Sequence, residues 1–103
     1  MRGIFEAESV AVIGASDRPG NLGRNILQNL LDWEYGGRVY AVNTRGGSVL
    51  GIPLHTSVEE LPEAPDLAVA MVPARALPEV METCGRRGIT RMAIPSGGFE
   101  ELG

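Results

Sequence analysis

Between Gly14 and Gly23 the chain reads Gly-Ala-Ser-Asp-Arg-Pro-Gly-Asn-Leu-Gly, small, polar and turn-forming residues that separate two apolar patterns. Upstream, Val10 to Ile13 is a short apolar run rich in β-branched residues, of the kind a fully buried strand needs. From Leu22 onward the apolar spacing becomes helical. A glycine-bearing loop between strand and helix can cradle a phosphate, because the first amides of the helix are unpaired donors at the positive end of its dipole. Gly14 opens this loop, and Ser16, Asp17, Arg18 and Pro19 form its body. The chemistry to expect is binding, with no catalytic residue: no histidine or acid stands at motif spacing to activate Ser16 as a nucleophile.

The spacing narrows the ligand. A dinucleotide fingerprint needs glycines two and five positions after the first, and those positions hold Ser16 and Pro19. An NAD site also calls for an acidic residue at the end of the second strand, where this chain has Asn43, with Arg45 two residues on. Arg45 points instead to a ribose carrying an additional phosphate, as in NADP or coenzyme A. The P-loop pattern is absent. The nine cations are all arginines, so a Tyr-x-x-x-Lys reductase pair cannot form and any cationic contact to phosphate falls to arginine. His55 matches no motif and reads as a surface histidine. Cys84 is the one cysteine, expected in the core, with no companions for a metal site. Trp33 and Tyr35 read as packing or interface residues, and Glu100 and Glu101 have no partner acid for acid–base work.

These residues need a scaffold, and the rest of the chain supplies one. Ile4 and Phe5 are expected to pack under the sheet edge ahead of the first strand, Val10 to Ile13. A helix over about 21–33 carries Leu22, Ile26 and Leu30, backed by Leu27 and Leu31, and Gly36-Gly37 ends it. The second strand is Arg38 to Asn43. A glycine-rich loop over 44–56 holds a short extended piece at Val49 and Leu50. Ser57 to Glu60 reads as a capping box opening a very short helix stopped by Pro62. A third strand follows at Leu67 to Val72, then a helix over about 74–87 with Leu77, Val80, Met81 and Cys84 on one face. Gly85 and Gly88 lie near its end, and a fourth strand runs from Arg91 to Ile94. Strands that are apolar on both faces and alternate with helices imply a parallel sheet covered on both sides. The expected fold is Rossmann-like, a three-layer α/β/α arrangement with strand order 3-2-1-4, cut before a last strand. Its ligand site lies at the carboxyl ends of the strands, where Gly-Ala-Ser, Val-Asn-Thr-Arg, Val-Pro-Ala and Ile-Pro-Ser-Gly-Gly should converge.

At 103 residues the chain makes one domain, spanning 1–103. A net charge of −4 leaves no basic footprint for nucleic acid. No apolar run reaches the roughly 20 residues that span a membrane. With no leader ahead of Val10, the expected compartment is the cytoplasm.

The run Val-Ala-Val-Ile-Gly-Ala-Ser-(Asp-Arg)-Pro-Gly-(Asn-Leu)-Gly resembles the start of the coenzyme A-binding domain of NDP-forming acyl-CoA synthetases. The resemblance continues through Val-Asn-Thr-Arg at 42–45, Gly-Ile-Pro-Leu at 51–54 and Asp-Leu-Ala-Val at 66–69. It extends to Val-Pro-Ala at 72–74 and Ser-Gly-Gly-Phe-Glu-Glu at 96–101. It implies a CoA or acyl-CoA module of a ligase, or of a protein acetyltransferase that carries the same domain. The family's pocket would place Ser16, Asp17, Arg18 and Pro19 around the phosphates. Asn43 and Arg45 would stand by the adenosine end, where Thr44 replaces the family's proline. Val72, Pro73 and Ala74 would flank adenine or pantetheine, and Ile94, Pro95, Ser96 and Gly97 would line the thiol-bearing arm. The resemblance also implies further domains of a longer parent; a sheet cut before its last strand is expected to leave an open edge that favours pairing between copies. In the ligases a histidine carries phosphate during turnover, but it belongs to the following domain.

Overall fold

Val10 and Val12 point to one side of their strand and Ala11 and Ile13 to the other, and both sides are covered. The computed structural model describes residues 7–94; Ile4, Phe5, Pro95, Ser96, Gly97, Glu100 and Glu101 lie outside them. Strand β1 (Ser9–Ile13) is buried along its whole length and occupies the centre of a six-stranded sheet. On its first face, Val10 and Val12 pack with Leu27 and Leu30 of helix α1 (Leu22–Asp32). On the other, Ala11 and Ile13 pack with Cys84 of helix α2 (Leu77–Arg86) and with Val58 and Leu61. The three-layer α/β/α expectation holds.

Local signals set the helix ends. Asn21 caps α1 by accepting from the Arg24 amide at 2.8 Å. Its far end is a Schellman turn, Tyr35 N–H to Leu30 O at 3.0 Å and Glu34 N–H to Leu31 O at 3.1 Å. The left-handed residue there is Glu34 (φ 55°), so the stop comes before the Gly36-Gly37 pair expected to impose it. Helix α2 ends in the same motif around Gly88 (φ 85°), with Ile89 N–H bonded to Cys84 O at 2.9 Å. Leu31 and Met81, expected on the packed stripes, are 47% and 50% exposed.

The strand order departs from 3-2-1-4. Beyond β1 come β2 (Arg38–Val42), β3 (Ser48–Val49), β4 (Ile52–His55), β5 (Leu67–Ala70) and β6 (Met92–Ala93), in the order β3-β4-β2-β1-β5-β6. In the numbering of the four expected strands this is 2-1-3-4. The cause is a hairpin read from sequence only as a short extended piece. Leu50 and Gly51 both have positive φ, 52° and 79°, the signature of a two-residue type I′ turn. That turn folds β3 back on β4, and β4 lies parallel to β2, with Ala41 opposite Leu54 and Val42 opposite His55. With the outer edge of β2 taken, the fully buried β5 pairs with β1 on its other side, Val10 opposite Leu67 through Ile13 opposite Ala70. The connection from β4 to β5 holds no α-helix, only the 3₁₀ turn Val58–Glu60. Ser57 caps it through the Glu59 amide, while Glu60 reaches back to the amide and hydroxyl of Thr56.

Candidate functional site

In this order the sheet reverses direction of winding between β1 and β5, and ligands of doubly wound sheets bind at the carboxyl side of that point. Gly14 stands there with φ 94°. A Cβ at this position would lie 2.1 Å from the Met71 carbonyl oxygen, so no other residue fits without moving the end of β5. The Gly14 amide donates to Val42 O at 2.8 Å, which joins the loop to β2 as well.

Asn21 holds the loop in shape. Its Oδ1 accepts from the amides of Ser16 (3.0 Å) and Arg24 (2.8 Å), and its Nδ2 donates to Gly14 O at 3.3 Å. These bonds occupy two amides that could otherwise meet a phosphate, and leave those of Leu22 and Gly23 at the first turn of α1 without an acceptor among the described residues. Gly23 lets α1 approach closely: a Cβ there would sit 2.7 Å from Ala15 Cα. Ser16 is partly buried, its hydroxyl 3.4 Å from the Arg18 amide, whereas Asp17, Arg18 and Pro19 are exposed. Asp17 reaches Arg24 at 3.6 Å.

At the end of β2, Asn43 Nδ2 donates to Ala15 O at 2.8 Å and its Oδ1 accepts from the Arg45 amide at 2.9 Å. A β-turn closes from Asn43 O to the Gly46 amide at 2.9 Å. Asn43 thus joins the two loops, and Arg45 stands exposed on that turn.

A cleft of about 520 Å³ opens on the α2 side of this edge. Of the residues expected at the site, Gly14, Asn43, Val72 and Pro73 line it. Ser16, Asp17, Arg18, Pro19 and Arg45 lie on neighbouring loops outside its wall, Ala74 begins the exposed turn leading into α2, and Ile94 is 37% exposed beyond β6. Pro95, Ser96 and Gly97 fall outside the described residues. Sequence reasoning missed the opposite walls. One is the 56–59 segment; the other is a stripe of α2 at Glu79, Val80, Thr83 and Arg86. The i, i+1, i+4, i+7 spacing along one helix face was the available signal.

The other candidates play no part in the cleft. Cys84 is fully buried, and burial pushes its thiol up from the ordinary value. His55 is half-buried with its ring edge-on to Tyr40, centroids 6.3 Å apart, so it is less exposed than a surface histidine. No group of three metal-ligating side chains occurs among the described residues. No helix among them is long and apolar enough to cross a membrane.

Comparison with known proteins bears on the family and the fold. The acetate–CoA ligase [ADP-forming] I subunit alpha of Pyrococcus furiosus is 42% identical over 107 residues, covering 100% of this chain and 23% of that protein. A trans-feruloyl-CoA synthase from an unknown prokaryotic organism is 40% identical over 100 residues, covering 97% of this chain and 14% of its own length. Among solved structures, the apo acetyl-coenzyme A synthetase 1 of Ca. Korarchaeum cryptofilum superposes with a TM-score of 0.83 at 33% identity, over 93% of this chain and 21% of that one. The chain therefore spans less than a quarter of the length of these relatives. The family model described as a CoA binding domain matches residues 8–101, and this chain, Rossmann-like and built around the Gly14 loop, belongs to that family.

Proposed function

We propose that the chain binds coenzyme A or an acyl-CoA at the carboxyl ends of β1, β2 and β5, as the CoA-binding module of an NDP-forming acyl-CoA synthetase. It performs no chemistry alone and presents the bound thiol to further domains of its parent. The observation that carries this reading is the junction at Gly14 and Asn43. There the glycine loop, the turn bearing Arg45 and the cleft entrance are held together by side-chain and backbone hydrogen bonds. In this reading the loop of Ser16, Asp17, Arg18 and Pro19 meets the diphosphate, and Arg45 meets the 3′-phosphate. Val72, Pro73 and Ala74 lie along the ligand, and Ile94 to Gly97 lie along the pantetheine arm.

Isothermal titration with CoA and with 3′-dephospho-CoA tests it. A charge-assisted contact contributes on the order of 1.5–3 kcal/mol, so CoA should bind about tenfold or more tightly. Arg45→Ala should abolish that difference while leaving 3′-dephospho-CoA affinity unchanged. Equal affinity of the unaltered chain for both ligands removes Arg45 from the site, and absence of CoA binding rejects the reading.

A further inference from the structure

Charge is unevenly distributed around the cleft. Its floor is apolar, with Ile13, Val42, Val58 and Val80 at or near the sheet surface. Among the described residues its charged groups are Glu59, Glu79 and Arg86. Arg86 is already engaged, with Nη1 2.7 Å from Glu82 Oε1 and Nη2 3.5 Å from Glu59 Oε1. The Glu79 carboxylate makes no hydrogen bond or ion pair with the described residues. A phosphate entering the cleft would therefore meet an excess of negative charge and no unengaged cation. Arg18 and Arg45 stand outside it on exposed loops.

This arrangement divides a ligand such as CoA by charge: phosphates on the loops, an uncharged portion in the cleft. The Asn43–Thr44 segment that leads into Arg45 is also the lip of the cleft. The ribose that would carry a 3′-phosphate held by Arg45 also carries the base and the diphosphate, and of these the base is the uncharged group suited to the cleft beyond that lip. We infer that the cleft takes the adenine ring against its apolar floor and that Glu79 accepts a hydrogen bond from the exocyclic amino group. Glu79 is thereby a specificity-determining residue, an assignment that rests on the CoA reading above. A purine with a keto oxygen in place of the amine would set an acceptor against the carboxylate and be rejected.

Titration of CoA against its inosine analogue, on the unaltered chain and on Glu79→Gln, tests the inference. The unaltered chain should prefer CoA by about tenfold or more, the size expected of one hydrogen bond to a charged group. Glu79→Gln, whose amide can donate to the keto oxygen, should lose or reverse that preference. Glu79 is exposed in the first turn of α2, so the variant keeps the fold. Glu34→Gln removes the same charge at the far end of α1, away from the cleft, and should retain the preference. Equal binding of the two ligands by the unaltered chain, or a preference that survives Glu79→Gln, overturns the assignment and leaves the CoA reading standing. Failure to bind CoA at all rejects both.

Discussion

Gly14 and Asn21 hold the loop in different ways, and each makes its own prediction. At Gly14 any side chain must adopt a left-handed backbone and displace the Met71 carbonyl, since Cβ would lie 2.1 Å from its oxygen. The left-handed conformation alone costs roughly 1–2 kcal/mol. Gly14→Ala should therefore lower unfolding free energy by about 2 kcal/mol or more in urea denaturation, together with any loss of ligand binding. At Asn21 one carboxamide caps α1 and binds both ends of the loop. Asn21→Ala should cost about 1–2 kcal/mol by the same measurement. Asn21→Asp keeps the two acceptor bonds but sets a carboxylate oxygen against Gly14 O, so it should recover only part of that stability. The role of Gly14 was legible from its place after an apolar run. That Asn21 ties up the Ser16 amide was not, because it depends on where the loop doubles back.

At the level of elements, the β2–β5 connection is secured at the amino side of the sheet. Arg38 of β2 makes a bidentate pair with Glu63, and the Tyr40 hydroxyl donates to the same carboxylate. Hydrogen bonds from Arg38 and then Tyr40 pull the Glu63 carboxyl down from 4.5 to about 2. A carboxyl lowered in the folded state stabilises above its unfolded value and loses that contribution as pH falls through its folded one. Stability should therefore decline between pH 4.5 and about 2, and Glu63→Gln should flatten this part of the curve in pH-dependent chemical denaturation. The helices were readable at this scale because their caps and apolar spacing are local. The β3–β4 hairpin was not. Leu50-Gly51 takes a turn that usually favours Asn-Gly, and Pro53 within β4 reads against a strand.

Across the whole molecule, the absence of lysine, all nine cations being arginine, has a chemical consequence if the proposed acyl-CoA binding holds. A lysine amine can attack a thioester carbonyl, forming an amide as the thiol leaves, whereas a guanidinium stays protonated and does not. The Cys84 thiol is buried and held protonated. Incubated with acetyl-CoA at pH 8, the chain should gain no acetyl group beyond one on its terminal amine, as read by intact mass. Arg45→Lys should gain a second, suppressed by excess CoA.

The sequence by itself determined the fold class, the position of the glycine loop and the family, because these depend on local periodicity and on residue types in fixed order. Only the tertiary structure decided the strand order. Pairing between segments distant in the chain is a competition for sheet edges, and the hairpin occupies the outer edge of β2. A single 3₁₀ turn stands where a crossover helix was possible, and the cleft lies between Glu59 and α2. Around Gly14, then, the proposed ligand class was read in one dimension, while the walls of the cleft come from segments joined only by folding.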